Sequence, residues 1–349
     1  MNALRSGLGV FAAMAISVAG AGAQEQVEQF YRGKTVNMYI GSAVGGGYDG
    51  YGRLVARHLG KHIPGNPVVV PQNMPGAGSN KAAGYVALQA PRDGTAIAAI
   101  QPGAVLWTLL FDQPVVHDPS KLVAIGSATR DVYLCVVRAD AGVKSFEEVL
   151  GGKEVILGGA QEGSAIRDMP TVLINILGAR FRLVTGYAGS REVMIAIERN
   201  EVQGICGMGW SSISMQHTDW LNSGFVKILA QEDLKGQPEV TAMGVPLTLR
   251  FAKTEEDRQV MEMIYSQSLF GRPFMLPPGV PPARVAALRK AFMATLADPD
   301  LIADAAKSKL ELAPMSGEDM QALVAKLYAL PGRISERAKQ ALIYRPARQ

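Results

Sequence analysis

"IGSAVGGGYDGYG", residues 40–52, follows the apolar run "TVNMYI" and precedes "RLVARHLGKHI". The run reads as a strand. Tyr51, Leu54, Val55, Leu59 and Ile63 recur at helical spacing, so the stretch is a glycine-rich turn into a helix that Asp49 can cap. Gly45, Gly47 and Gly50 fit the letters of a dinucleotide-binding loop in that context. Such a loop also needs an acidic residue about 20 positions on, to hold the ribose hydroxyls. No Asp or Glu lies between Asp49 and Asp93, and Arg53, Arg57 and Lys61 sit on the first helix rather than after the second strand. The dinucleotide reading therefore fails. What survives is the physics of the turn: glycines let backbone approach a ligand closely, and a helix start presents N–H groups and a positive dipole end. Such a turn receives a carboxylate or phosphate without a basic side chain, although the same letters also suit a plain structural connection.

A second turn, "NMPGAGSN" at residues 73–80, repeats the arrangement after the strand "PVVVPQ". Two such turns on successive parallel strands face one crevice at the carboxyl ends of the strands, where open α/β sheets bind ligands. Short apolar runs alternate with helical stretches along the chain. "TAIAAI", "LVAIGSATRDVYLCVV", "KEVILGGA", "FRLVTGY", "VQGICGMG" and "FVKILAQ" are strand-like, which predicts α/β layers with mostly parallel strands.

Upstream of all this, Arg5 precedes an apolar stretch from Leu8 to Val18 and small residues ending at Ala21, Gly22 and Ala23. This is the pattern of a secretory signal peptide, too short to span a bilayer. Cleavage after Ala23 leaves 326 residues and lowers the formal net charge from +4 to +3, because Arg5 is the only charged residue removed. The charge is spread without a basic block, so nucleic acid binding is not indicated. The two cysteines, Cys135 and Cys206, fit either a disulfide or two buried thiols.

Over essentially the whole mature chain the sequence resembles the Bug, or TctC-like, substrate-binding proteins of tripartite tricarboxylate transporters. The segments that carry the resemblance are residues 40–98 with both glycine turns, "VTGYAGSREVMIAIERNEVQGI" at 184–205, and "FMLPPGVPPARVAALRKAFMATLADPDL" at 274–301. The resemblance implies a two-lobed, periplasmic-binding-protein-like clamshell, each lobe a mostly parallel sheet flanked by helices. Residues 1–23 would be the signal peptide, 30–127 the first part of lobe 1, 128–230 lobe 2, and 231–349 the rest of lobe 1. Crossings near Ile125 and Leu229 would form the hinge.

In that family, backbone amides of the two first-lobe turns hold one ligand carboxylate. Carried over, these are Ser42, Ala43, Gly45, Gly46, Gly47, Tyr48 and Asp49, with Gly76, Ala77, Gly78 and Ser79. Gln101 is added from the third strand's end. The second lobe contributes Ser164, Tyr187, Gly189 and Ser190. Arg167 lies outside the family pattern; it is a candidate bidentate partner for a distal carboxylate or else a solvated helix residue. The chain also departs from the pattern at Gly41-Ser42, Tyr48 and Ser79, which bears on which carboxylate is bound.

The implied partners are a small organic carboxylate and one large and one small integral permease subunit, with the receptor a monomer. No cofactor, metal or catalytic set is expected. His58 and His62 are four residues apart, but no Glu follows His58 as a zinc protease motif requires, and G-x-S-x-G is absent. "HTDW" offers His217 and Asp219 without a nearby nucleophile, and Trp107 and Trp210 suit either a core or an aromatic-ligand wall. Two rival readings are a carboxylate sensor presenting ligand to a membrane kinase and an exported enzyme on the same scaffold.

Overall fold

The computed structural model describes residues 25–344, so the expected signal peptide lies outside the described residues. Among the described residues, eleven strands form two sheets. β1 (Thr35–Ile40), β2 (Val68–Asn73), β3 (Ala96–Ala99), β4 (Val123–Ser127), β10 (Pro273–Leu276) and β11 (Met315–Ser316) make the first, in the order β11-β4-β10-β3-β1-β2. β5 (Tyr133–Arg138), β6 (Val155–Gly158), β7 (Phe181–Val184), β8 (Gly204–Gly209) and β9 (Val226–Glu232) make the second, in the order β7-β6-β8-β5-β9.

β1 pairs in parallel with β2 and β3, whereas β10 runs against β3 and β4, and β11 against β4. In the second sheet β6 is parallel to β7 and β8, and β5 runs against β8 and β9. Both sheets are therefore mixed: most strands in each share one direction, but four of the nine pairings are parallel and five antiparallel. The reversed β5 and β10 each come directly after a crossing between the sheets. Pro71, which cannot donate to a ladder, sits on β2 at the sheet edge, where that loss is tolerated.

β1 shows how the sequence sorts its two faces. Val36, Met38 and Ile40 point into a core with Tyr51, Leu54, Val55 and Leu59 of helix α1 (Gly47–Leu59). Tyr39, one residue out of phase, packs in a different core with Ala82, Ala83 and Val86 of helix α2 (Asn80–Leu88). Strand alternation thus buries both faces, with a helix on each. All five apolar positions that mark the first helix are buried, Ile63 just beyond it. Each such side chain contributes roughly 1.5–3 kcal/mol on burial.

The core under Tyr39 is continuous with the second sheet. It takes in Tyr133, Cys135 and Val137 of β5, then Val260, Met261 and Ile264 from the helix Glu255–Tyr265, and Ile334, Ala338 and Leu342 from the helix Gly332–Leu342. Cys135 and Cys206, on the adjacent strands β5 and β8 and fully buried, form a disulfide.

Ile125 and Leu229 lie inside β4 and β9 rather than at the crossings. The first crossing occupies residues 128–132, and the second runs from 233 to 272, by way of Glu255–Tyr265. The reason is physical: each strand continues its ladder to the sheet's end before the chain changes sheets. The crossings bond to one another through Ala128 N to Arg272 O (3.1 Å) and Asp131 N to Ser268 O (3.0 Å). Among the described residues, no helix is long and apolar enough to cross a membrane.

Candidate ligand-binding cleft between the lobes

A cleft with about 740 Å³ of empty space, its open mouth included, lies between the two sheets. From the first lobe it is lined by Gly41 to Val44, Gly46, Gly47, Tyr48, Pro75 and Gln101. The second lobe contributes Tyr133, Gln161, Ser164, Ala165, Ile166, Ala188, Gly189, Ser190, Arg191, Glu192, Gly207 and Ser212. The expected residues Ser42, Ala43, Gly46, Gly47, Tyr48, Gln101, Ser164, Gly189 and Ser190 therefore line one cleft.

The first turn is built to leave a helix end open. Gly46 is the N-cap of α1, in extended conformation, and supplies no side-chain cap. Orphan N–H groups of the first helical turn therefore have no side-chain acceptor from the N-cap residue. Across the cleft, Ser164 caps the helix Ala165–Val172 and Gly189 the helix Ser190–Glu198, again without side-chain cap hydrogen bonds. Three helix starts thus border the same space, and their dipoles make it receptive to negative charge.

Asp49 does not point into this space. Its Oδ2 accepts from Gly45 N (2.9 Å), and its Oδ1 accepts from Arg53 Nε (2.9 Å) and Asn73 Nδ2 (2.8 Å). Asn73 Nδ2 also donates to Ser42 O (3.0 Å), and Arg53 Nη2 donates to Asn73 Oδ1 (2.6 Å). The carboxylate is buried and used in shaping the turn, so, against expectation, Asp49 does not line the cleft but holds the loop that lines it. Gly45, whose N–H it takes, does not line the cleft either.

The second turn has a different use from the one expected. Gly76, Ala77, Gly78 and Ser79 all have positive φ (138°, 46°, 56° and 76°) and none lines the cleft. Ser79 stands where the family pattern has glycine, and its left-handed backbone explains that preference. Its buried Oγ donates to Gly41 O (2.8 Å) and accepts from Gln101 N (3.1 Å), tying three strand ends together. A Cβ on Gly78 would stand 2.8 Å from the carbonyl of Gly163, so this turn is where the lobes approach each other.

Arg167 is likewise corrected. Its Nη1 donates to Leu342 O and Asp168 Oδ1 (2.5 and 3.1 Å), and Nη2 pairs with Glu162 (3.2 Å). It anchors the end of the C-terminal helix, where a cation complements the dipole. Tyr187 lines an adjoining hollow with Arg167, Thr185 and Tyr344 instead of the cleft. Asp168 is pushed up to about 7 by burial, against the opposing charge of Arg167.

Residues that sequence reasoning missed include Gln161, Tyr133, Arg191, Glu192 and Ser212. Ser212 has a legible signal: β8 runs directly into the helix Trp210–Gln216, the same strand-to-helix pattern that marks the first two turns. Its Oγ stands 2.7 Å from where a Cβ on Gly47 would be. Tyr133 OH meets Tyr48 OH across the cleft (3.4 Å), and burial raises both phenols above the ordinary tyrosine range. Tyr133 has no such local signal.

The other constellations have structural uses. His58 pairs with Asp304 (2.9 Å) and His62 with Asp298 (2.6 Å), joining α1 to the helix Pro299–Lys307. His217 stacks on Trp220. Trp107 packs over Gly163, its Nε1 donating to Gln113 O (2.9 Å), and neither it nor Trp210 lines the cleft.

Two α/β sheets joined by two crossings, with a cleft of glycine turns, hydroxyls and helix starts between them, define the clamshell fold of periplasmic solute-binding proteins. The structure is similar to the periplasmic binding protein BugD (TM-score 0.69, 24% identity, covering 89% of this chain and 98% of that one). It is also similar to MatC from Rhodopseudomonas palustris with bound malate (0.68, 19%, 89% and 99%) and to an R. palustris protein with adipate (0.67, 20%, 87% and 97%). No protein-family model matches the chain, and no curated protein sequence matches it.

Proposed function

We propose that this chain is an extracytoplasmic receptor that captures a small organic carboxylate and delivers it to a tripartite tricarboxylate-type permease with one large and one small membrane subunit. The observation that carries the reading is the uncapped start of α1 facing a cleft enclosed by both lobes. Its N–H groups supply directional donors, and the hydroxyls of Ser42, Ser164, Ser190 and Ser212 add others able to match carboxylate oxygens. The malate and adipate held by two proteins of the same fold support an acid of that size. The apolar N-terminal segment with its A-x-A site supports a periplasmic location. No reaction is needed: a micromolar complex requires about 8 kcal/mol, which several donors plus burial on closure can supply.

A thermal-denaturation panel of mono-, di- and tricarboxylates, amino acids and sugars tests this. Ligand at 100 times its dissociation constant stabilises by about 2.7 kcal/mol, so at least one carboxylate should raise the melting temperature by several degrees. Stabilisation by sugars or cations alone would contradict the reading. Co-purification with the two permease subunits tests the delivery step separately.

A further inference from the structure

The first-lobe loop has no side-chain cation of its own to offer a ligand. Arg53 is bound to Asp49 and Asn73, and Arg272, behind Gly47, is buried against Asp131 and Ser211. Arg191 differs from both. It is the second residue of the helix Ser190–Glu198 in the opposite lobe, it is exposed, and it lines the cleft. Its side chain reaches across the mouth to the loop: a Cβ on Gly45 would stand 3.3 Å from Nη1 and 3.6 Å from Cδ. Among the described residues it takes part in no ion pair, whereas Arg167, in the adjoining hollow, is already paired. Glu192 also lines the cleft, with Oε2 3.5 Å from where a Cβ on Gly189 would be, and it is not paired with Arg191.

We propose that Arg191 supplies the formal positive charge to the carboxylate held at the first-lobe loop, so that the ligand's charge itself draws the second lobe down. The inference rests on the carboxylate reading above. Amides and a helix end carry only partial charges, whereas a guanidinium–carboxylate bond is charge-assisted and roughly twice as strong as a neutral one. Because amides and guanidinium come from opposite lobes, both engage the ligand only when the lobes meet. A neutral isostere, such as the matching carboxamide, fills the loop without recruiting Arg191. The site thus selects anionic over neutral ligands through closure.

The test titrates the best-binding acid of the panel and its carboxamide into the wild type, Arg191→Gln, Arg191→Lys and Glu192→Gln at low and high salt. Arg191→Gln should weaken the acid roughly ten- to hundredfold, leave the carboxamide within about threefold, and flatten the salt dependence. Arg191→Lys should restore part of the loss, and Glu192→Gln should tighten the acid by removing a like charge from the cleft wall. Equal loss for acid and carboxamide, or no loss for the acid, would overturn the role of Arg191 while leaving the carboxylate reading intact. A wild type that binds no carboxylate overturns the reading and this inference together.

Discussion

Asp131 and Arg272, 141 residues apart, form an ion pair with side chains only 1% and 3% exposed, at the point where both crossings between the lobes meet. Asp131 lies in the first crossing and Arg272 ends the second. Ser211 of the second lobe donates to Asp131 through N (3.1 Å) and Oγ (2.7 Å). The guanidinium lies over the rings of Tyr48 and Tyr51, 4.2 and 5.1 Å from their centroids. Both crossings, the cleft wall and both lobes are therefore joined through one desolvated pair.

Breaking that pair leaves a buried charge alone, which costs about 3–5 kcal/mol, whereas removing both charges costs much less. Arg272→Met and Asp131→Ala should each lower stability by that order in urea denaturation. The double variant should lose clearly less than the sum. Strict additivity would mean that the two residues do not act as a pair.

The Cys135–Cys206 disulfide closes a loop across 71 residues, a span over which chain-entropy arguments give about 4 kcal/mol and typical measured values are about 2–4. The double serine variant should melt well below the oxidised wild type. Thiol titration of the denatured, unreduced wild type should find no free cysteine; two titratable thiols would contradict the bond.

Glu232 is fully buried, accepts one bond from Gly207 N (2.6 Å), and leaves Oε1 without a partner among the described residues. Burial pushes its carboxyl up to about 8, so the folded chain keeps a proton there that the unfolded chain releases near the ordinary glutamate range. A raised folded value gives stability that is fully present below the unfolded pKa and lost as pH rises toward about 8. Wild-type stability should therefore fall between pH 5 and 8 by up to about 1.4 kcal/mol per pH unit from this group. Glu232→Gln, which mimics the protonated form, should remove that slope. Asp168 contributes the same sign over a lower window and is untouched by the change. Parallel pH profiles of the two proteins would show that Glu232 is already ionised in the fold.

Gly78→Ala should hold the lobes apart, because its Cβ meets Gly163 backbone of the opposite lobe. Gly142, also at positive φ (80°) but with nothing within 4 Å of a Cβ, provides the control for backbone strain alone. Gly142→Ala should lose only a small stability, and Gly78→Ala more, because backbone must shift to admit its Cβ. Only Gly78→Ala should raise the radius of gyration by solution scattering and weaken ligand. Equal scattering profiles in the two variants would remove Gly78 from the closing contact.

Local chemistry made much of this fold legible. Strand alternation in "TVNMYI" and the helical spacing from Tyr51 to Ile63 depend on neighbours in sequence, and the burial of those residues follows the pattern. The glycine turns were legible as turns, but not their division of labour. Asp49 reads as a helix cap beside a ligand loop, yet its carboxylate is consumed by Asn73, 24 residues away. Arg167 reads as a cation in a cleft, yet a carbonyl 175 residues distant takes its guanidinium. Tyr133 and the Asp131–Arg272 pair carry no periodicity at all, since only the crossing of the two sheets brings them to Tyr48.

A carboxylate held at the open start of α1 is revealed by calorimetric titration of Gly46→Val beside the wild type. Gly46 has φ −85°, which any residue adopts, and a Cβ there meets nothing closer than Ala43 O at 4.0 Å, so the side chain stands in the cleft without disturbing the fold. One-site binding of the acid by the wild type, and none by an equally stable Gly46→Val, is the expected result. The same affinity in both proteins would place the ligand elsewhere and contradict it.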